Sequence, residues 1–178
     1  MPGACRIIVG VSGSPGNLPA LRHAVHLAHS HDATLIPLLV WAPGGEFANC
    51  GNPSGYLRQI WRDDAWQQLW DAVNTASGGI PPGVRAEPMV LRGQAGWVLV
   101  SIASQAGDLL VVGTGRHGGL SRLLHGGVSR YCVAHARCPV IAVPPPTLEL
   151  EAGHGLRSWA FRHRAMDPDR MNSPATGR

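Results

Sequence analysis

Apolar and polar positions along the chain alternate between two periods. Residues 5–11 (CRIIVGV) form a short apolar run closed by the turn-forming stretch SGSPGN, the mark of a buried strand entering a loop. From Asn17 the period lengthens: Leu21, Ala24, Val25 and Ala28 recur on one helix face, with Asn17 as the expected N-cap. Residues 33–41 (ATLIPLLVW) are a second apolar run, and Pro37 inside it has no ladder donor, which predicts an edge or a bulge there. Residues 42–55 read as loop, followed by a helix carrying Leu57, Ile60, Trp61, Ala65, Leu69, Trp70 and Val73 at helical spacing. After the breaker GGIPPG come a third strand at 84–91, a helix at 96–106 with Val98, Leu99, Ile102 and Ala103 inward, and a fourth strand, DLLVVG, at 108–113. A helix with Leu124, Val128, Tyr131 and Cys132 on one face and a last strand at 139–144 complete the series.

The order βαβαβαβαβ, with strands apolar on both faces, predicts an α/β fold, a doubly wound parallel sheet with helices on both faces. Right-handed crossovers place the ligand crevice of such a sheet at the carboxyl ends of its strands, where the winding reverses. Candidate chemistry therefore falls on two loops, SGSPGN after the first strand and GTGRHGG after the fourth. Beyond Pro144, Pro145 and Pro146 the chain turns polar, so residues 1–146 are read as the domain and 147–178 as a polar, disordered tail.

Composition narrows the class further. With 44% hydrophobic and 15% charged residues in 178, the chain can fill one core and is neither an acidic disordered chain nor a collagen-like one. No uncharged apolar run reaches the ~18 residues of a membrane span, and MPGACRIIVG lacks the charged start and apolar middle of an export signal. A cytoplasmic protein without membrane contact is expected, with Cys5, Cys50, Cys132 and Cys138 as reduced thiols. All fifteen basic residues are Arg and they are scattered, giving +3 over residues 1–146 and +1 over 147–178. No dense basic run marks a nucleic-acid groove, so no nucleic-acid partner is expected.

Residues 111–129, VVGTGRHGGLSRLLHGGVS, hold the densest chemistry. A strand ends in glycines that let a backbone approach a ligand, and Gly126, Gly127, Val128 and Ser129 open a helix whose free N–H groups favour an anion. Glycines also close tight turns without any ligand, and the residues alone leave both readings standing.

From residue 5 to about residue 144 the chain resembles the universal stress proteins of the UspA type. The resemblance rests on IIVGVSGSPGNLPALRHAVHLA, on LLVW ending the second strand, on DLLVVGTG, and on HGGVSRYCVAHARCPVIAV, in order and spacing. It implies a five-stranded sheet in the order 3-2-1-4-5, a homodimer through the last strand at 139–144 and, in one branch of the family, bound ATP. That branch carries Gly, two residues, Gly, nine residues, then Gly and Ser or Thr. These positions fall here on Gly113, Arg116, Gly126 and Gly127, so two of the four match. A hydroxyl that meets a phosphate in the family corresponds to Ser129, whereas the family's adenosine-contacting Asp falls on Ser12. The implied cofactor site is Gly10, Val11, Ser12, Val40, Val112, Gly113, Gly115, Arg116, Gly126, Gly127, Val128 and Ser129.

The departures have physical consequences. Arg116 adds bulk and restricts positive φ where glycine is usual, although Gly115 beside it can take the turn and a guanidinium can meet a phosphate oxygen. Gly127 keeps an amide but loses a hydroxyl, and Ser12 loses a strong acceptor, so adenosine selectivity is expected to fall. Three other groupings have plainer readings. Cys132, His135 and Cys138 resemble half a metal site but are expected in core and helix-end roles, with no metal. His23, His26, His29 and His31 are expected on a solvated helix face, and Trp61, Trp66 and Trp70 in core or dimer packing. No nucleophile motif supports catalysis. The competing enzyme reading is a flavodoxin-like FMN protein using SGSPGN, a loop that also distantly resembles the SGG opening of ATP pyrophosphatase-type ligases. A third reading is a module that binds no nucleotide and works through its dimer surface and tail.

Overall fold

Strand residues alternate between the two faces of a sheet, and here both faces are apolar, so helices must cover both. The computed structural model describes residues 5–12, 17–42, 55–114 and 127–145, and these lie within one compact unit, Met1–Pro145. Their elements are β1 (Arg6–Val11), α1 (Leu18–Ser30), β2 (Thr34–Trp41), α2 (Gly55–Ser77), β3 (Met89–Arg92), α3 (Ala95–Ile102), β4 (Asp108–Gly113), α4 (Val128–His135) and β5 (Val140–Val143). The five strands are parallel and ordered β3-β2-β1-β4-β5, the order the resemblance implies. The expected tail at 147–178 lies outside the described residues.

Two cores follow from the alternation. Ile7, Val9, Val11, Leu35, Leu39 and Val111 face Ala20, Leu21, Ala24 and Val25 of α1 and Ala65, Leu69 and Val73 of α2. Ile8, Ile36, Leu38, Leu110 and Val112 face Val98 and Leu99 of α3 and Cys132 of α4. At the amino end of the sheet, Asp108 is 3% exposed, and its carboxylate accepts from Arg6 Nε (2.8 Å), Arg6 Nη2 (2.7 Å) and the Gln105 N–H (2.7 Å). The hydrogen bond that Arg6 donates to Asp108 outweighs desolvation and raises the Arg6 guanidinium above its usual value. With three donors on the Asp108 carboxylate, such a pair joins β1 to β4 without leaving a buried charge alone.

Several expectations need correction. β2 is an interior strand, and its register with β1 runs unbroken through Val9↔Pro37, so Pro37 marks neither an edge nor a bulge. The flanking odd-numbered residues bond toward β3: Leu35 N–H donates to Arg85 O, and Gly93 N–H donates to Trp41 O. The missing donor at 37 therefore faces a gap in the β2–β3 pairing, between the bridge Leu35↔Ala86 and the ladder that begins at Leu38↔Met89. Pro88 opposite that gap also shortens the third strand from the expected 84–91 to Met89–Arg92. α3 ends at Ile102 instead of 106, and β5 spans Val140–Val143. On α2, Trp61 packs against Trp41 with ring centroids 6.2 Å apart, but Ile60 and Trp70 face solvent instead of sharing the inner stripe. Val128 is likewise exposed, and Leu124 lies outside the described residues.

Candidate functional site

The winding reverses between β1 and β4, neighbours at the centre of the sheet, so their carboxyl ends define the crevice. Asn17 occupies the N-cap position of α1 but makes no side-chain cap bond. Its amide Nδ2 instead donates to Gly10 O at the end of β1, 2.6 Å away. Its Oδ1 lies against Gly113 at the end of β4, where a Cβ would fall inside the oxygen's contact shell and 3.4 Å from Asn17 Cα. Gly113 has no positive φ, so what glycine supplies there is space and not backbone freedom. A third contact closes the group, as Ser129 Oγ on α4 donates to Gly113 O at 2.7 Å. Next along the chain, Thr114 gives its N–H (2.8 Å) and its hydroxyl (3.3 Å) to Val143 O at the end of β5.

The N-terminus of α4 faces this junction. Gly127 is its N-cap, makes no capping side-chain bond, and a Cβ there would meet nothing among the described residues within 4 Å. The first turn contains no acidic residue, and it carries Arg130, exposed and without an ion pair among the described residues. The Tyr131 N–H already reaches Gly127 O at 3.1 Å, which leaves the earlier amides of the turn with no intrahelical acceptor. Among the described residues, amides without an intrahelical acceptor, the positive end of the helix dipole and a guanidinium without an ion pair together favour an anion.

The predicted residues separate into groups. Gly10, Gly113, Gly127 and Ser129 converge at the junction, and Ser12 follows β1 on the surface. The side chains of Val11 and Val112 are buried, so these two present only main chain to a ligand, and Val40 is half-buried against the core beneath α3. Gly115, Arg116 and Gly126 lie outside the described residues. Gly10 lacks a side chain for an internal reason, because a Cβ there would stand 3.0 Å from Leu99 Cδ1. Asn17 escaped sequence reading as a site residue because a helix cap explains an Asn at that position equally well.

Other groupings do not build a second centre. Cys132 is fully buried, and His135 stacks on Tyr131 (centroids 4.1 Å) with its Nδ1 2.9 Å from Tyr131 O. Among the described residues no three His, Cys, Asp or Glu side chains are grouped to hold a metal ion. An open cleft of about 410 Å³ at the amino end of the sheet is lined by Cys5, Asp108, Arg137 and Cys138 among others. Its two thiols pack into opposite faces of the sheet, so they do not converge.

The model of the universal stress protein family matches residues 5–144. The chain belongs to that family. A universal stress protein of Mycolicibacterium smegmatis is 29% identical over 145 residues, which is 78% of this chain and 45% of that relative, so the chain spans about half the relative's length. A solved universal stress protein in complex with cAMP is similar in fold, with TM-score 0.53 and 22% identity over 80% of this chain and 98% of that one. The universal stress protein of Archaeoglobus fulgidus in complex with dAMP is similar too, with TM-score 0.52 and 20% identity over 80% of this chain and 99% of that one. Within this universal stress protein, no described helix is long and apolar enough to cross a membrane.

Proposed function

We propose that this universal stress protein is a cytoplasmic, homodimeric regulatory protein that binds an adenine nucleotide, ATP or a monophosphate, at the carboxyl ends of β1 and β4, without catalysing a reaction. The observation that carries the reading is the N-terminus of α4, without a side-chain cap among the described residues and with Arg130 in its first turn, set against the Asn17–Gly113–Ser129 junction. Phosphate suits the first amides of α4 and the guanidinium, and the base and ribose would extend along the ends of β1 and β2 past Ser12 and the main chain of Val40. Solved relatives hold cAMP and dAMP, which favours the same ligand class here. Asn17 Nδ2 and the Ser129 hydroxyl both donate to main-chain carbonyls, which braces the strand ends and supports a binding site over a catalytic one. Homodimerisation would use β5, an edge strand whose outer main-chain groups have no partner strand among the described residues.

Calorimetric titration of the full chain with cAMP, AMP and ATP tests the proposal. Saturable binding of at least one is expected, and absence of binding to all three at about 1 mM, where affinity is worth only ~4 kcal/mol, refutes it. Ser12→Asp is expected to tighten binding by roughly threefold to tenfold by restoring a charged acceptor near the base and ribose.

A further inference from the structure

In the sequence, Gly113 stands where a family glycine lets a ligand approach, but in the structure the space over its Cα is taken by the chain itself. Asn17 is 8% exposed, its Nδ2 is bonded to Gly10 O, and its Oδ1 fills the volume that a Cβ on Gly113 would need. Gly113 has no positive φ, so an L side chain would meet no conformational penalty there, and Asn17 is the obstacle named at every one of its closest contacts. The same glycine is held from the far side, where its carbonyl accepts from Ser129 Oγ at 2.7 Å. The next residue, Thr114, is tied to Val143 O. Asn17 is thus a wedge that spans the carboxyl ends of β1 and β4 and sets where the Gly113 main chain stands relative to the start of α4.

We propose that Asn17 is a positioning residue of the nucleotide site, and that glycine at position 113 is required by Asn17 and not by the ligand. The inference rests on the nucleotide reading above and adds a dependence between two residues that neither predicts alone. A buried amide with one fixed hydrogen bond cannot swing away without leaving Gly10 O unpaired, so a methyl group at 113 must displace the β4 end instead.

The test is a double-mutant cycle on the full chain, with cAMP, AMP and ATP as probes at 20 °C and circular dichroism confirming that each variant is folded. Gly113→Ala is expected to lower Tm by roughly 3–10 °C and to weaken nucleotide binding about tenfold. Asn17→Ser removes the wedge while keeping a hydroxyl for Gly10 O, and is expected to weaken binding about threefold in a protein that remains folded at 20 °C. In that background Gly113→Ala is expected to cost less than about twofold in affinity and little in Tm, a loss of additivity that only contacting residues show. Equal affinity losses from Gly113→Ala in both backgrounds would mean that the glycine serves the ligand, and would overturn the inference. So would a Gly113→Ala protein that keeps both Tm and affinity, or an Asn17→Ser protein that binds as the wild type does. A wild type that binds none of the probes overturns the nucleotide reading first and this inference with it, whereas a binding wild type with an additive cycle overturns the inference alone.

Discussion

Burial decides what each thiol of the chain can do. Cys132 of α4 is fully buried, and burial, helped by neighbouring Cys138, pushes its thiol up to about 11 from 9.0. Cys138 is also raised, mainly by burial and then by Asp108. Thiols held protonated are poor nucleophiles, which argues against a redox role for this pair at neutral pH. The sign of the linkage follows from a raised folded-state value: the contribution of Cys132 is fully present below pH 9 and is lost as pH rises toward 11. Two pH units of difference correspond to a loss on the order of 2–3 kcal/mol. Denaturant unfolding at pH 8 and pH 10.5 is therefore expected to show a steeper alkaline loss for wild type than for Cys132→Val, and identical slopes would show that the thiol titrates freely.

At the scale of elements, close approach of α3 and α4 depends on one residue. Gly96 is buried in α3, and a Cβ there would stand 2.8 Å from Tyr131 Cδ1 and 3.0 Å from Tyr131 Cβ, whose ring is held in its stack on His135. Gly→Ala within a helix ordinarily stabilises by ~1 kcal/mol, but here the obstacle includes the root of the Tyr131 side chain, which cannot swing aside. Gly96→Ala is expected to destabilise by about 1–2 kcal/mol net, a Tm drop of roughly 2–8 °C, and a rise in Tm would show that the helices can separate without cost. The sequence made the elements legible for a simple reason: strand and helix periods are local, and the apolar stripe of α1 (Leu21, Ala24, Val25, Ala28) is buried as its spacing predicts. It misled where the deciding partner is remote. Pro37 reads as an edge signal because nothing in its own run reveals that β3 leaves a gap opposite it. Trp70 sits at helical spacing with Leu69 and Val73 yet lies off the narrow stripe that α2 buries. Of the candidate site, the glycines and Ser129 were legible as a motif, while the filling of Gly113 by Asn17 and of Gly10 by Leu99 required the tertiary structure.

For the whole molecule, the five described strands leave β3 and β5 at the two edges of the sheet, and the two differ in chemistry. β5 is short, bounded by Pro139 and Pro144, and lies on the same side of the chain as the exposed Val133 of α4. Val143 and Pro139 turn their carbonyls to Thr114 and Leu110, so the main-chain groups of Val140 and Ala142 point outward. Ala142→Pro removes one outward donor without touching the β4 ladder, and is expected to convert the proposed dimer into a monomer in light scattering after size-exclusion chromatography. A dimer that survives Ala142→Pro unchanged would move the interface elsewhere. The two ends of the sheet differ as sharply as its edges. At the amino end the Arg6–Asp108 pair ties β1 to β4, whereas at the carboxyl end, among the described residues, the first amides of α4 have no intrahelical acceptor and Arg130 has no ion pair. Genetic lesions should therefore sort by position along the strands: changes near Asp108 lower the amount of protein a cell retains, while changes near Gly127 and Arg130 leave its abundance intact and remove the proposed nucleotide binding.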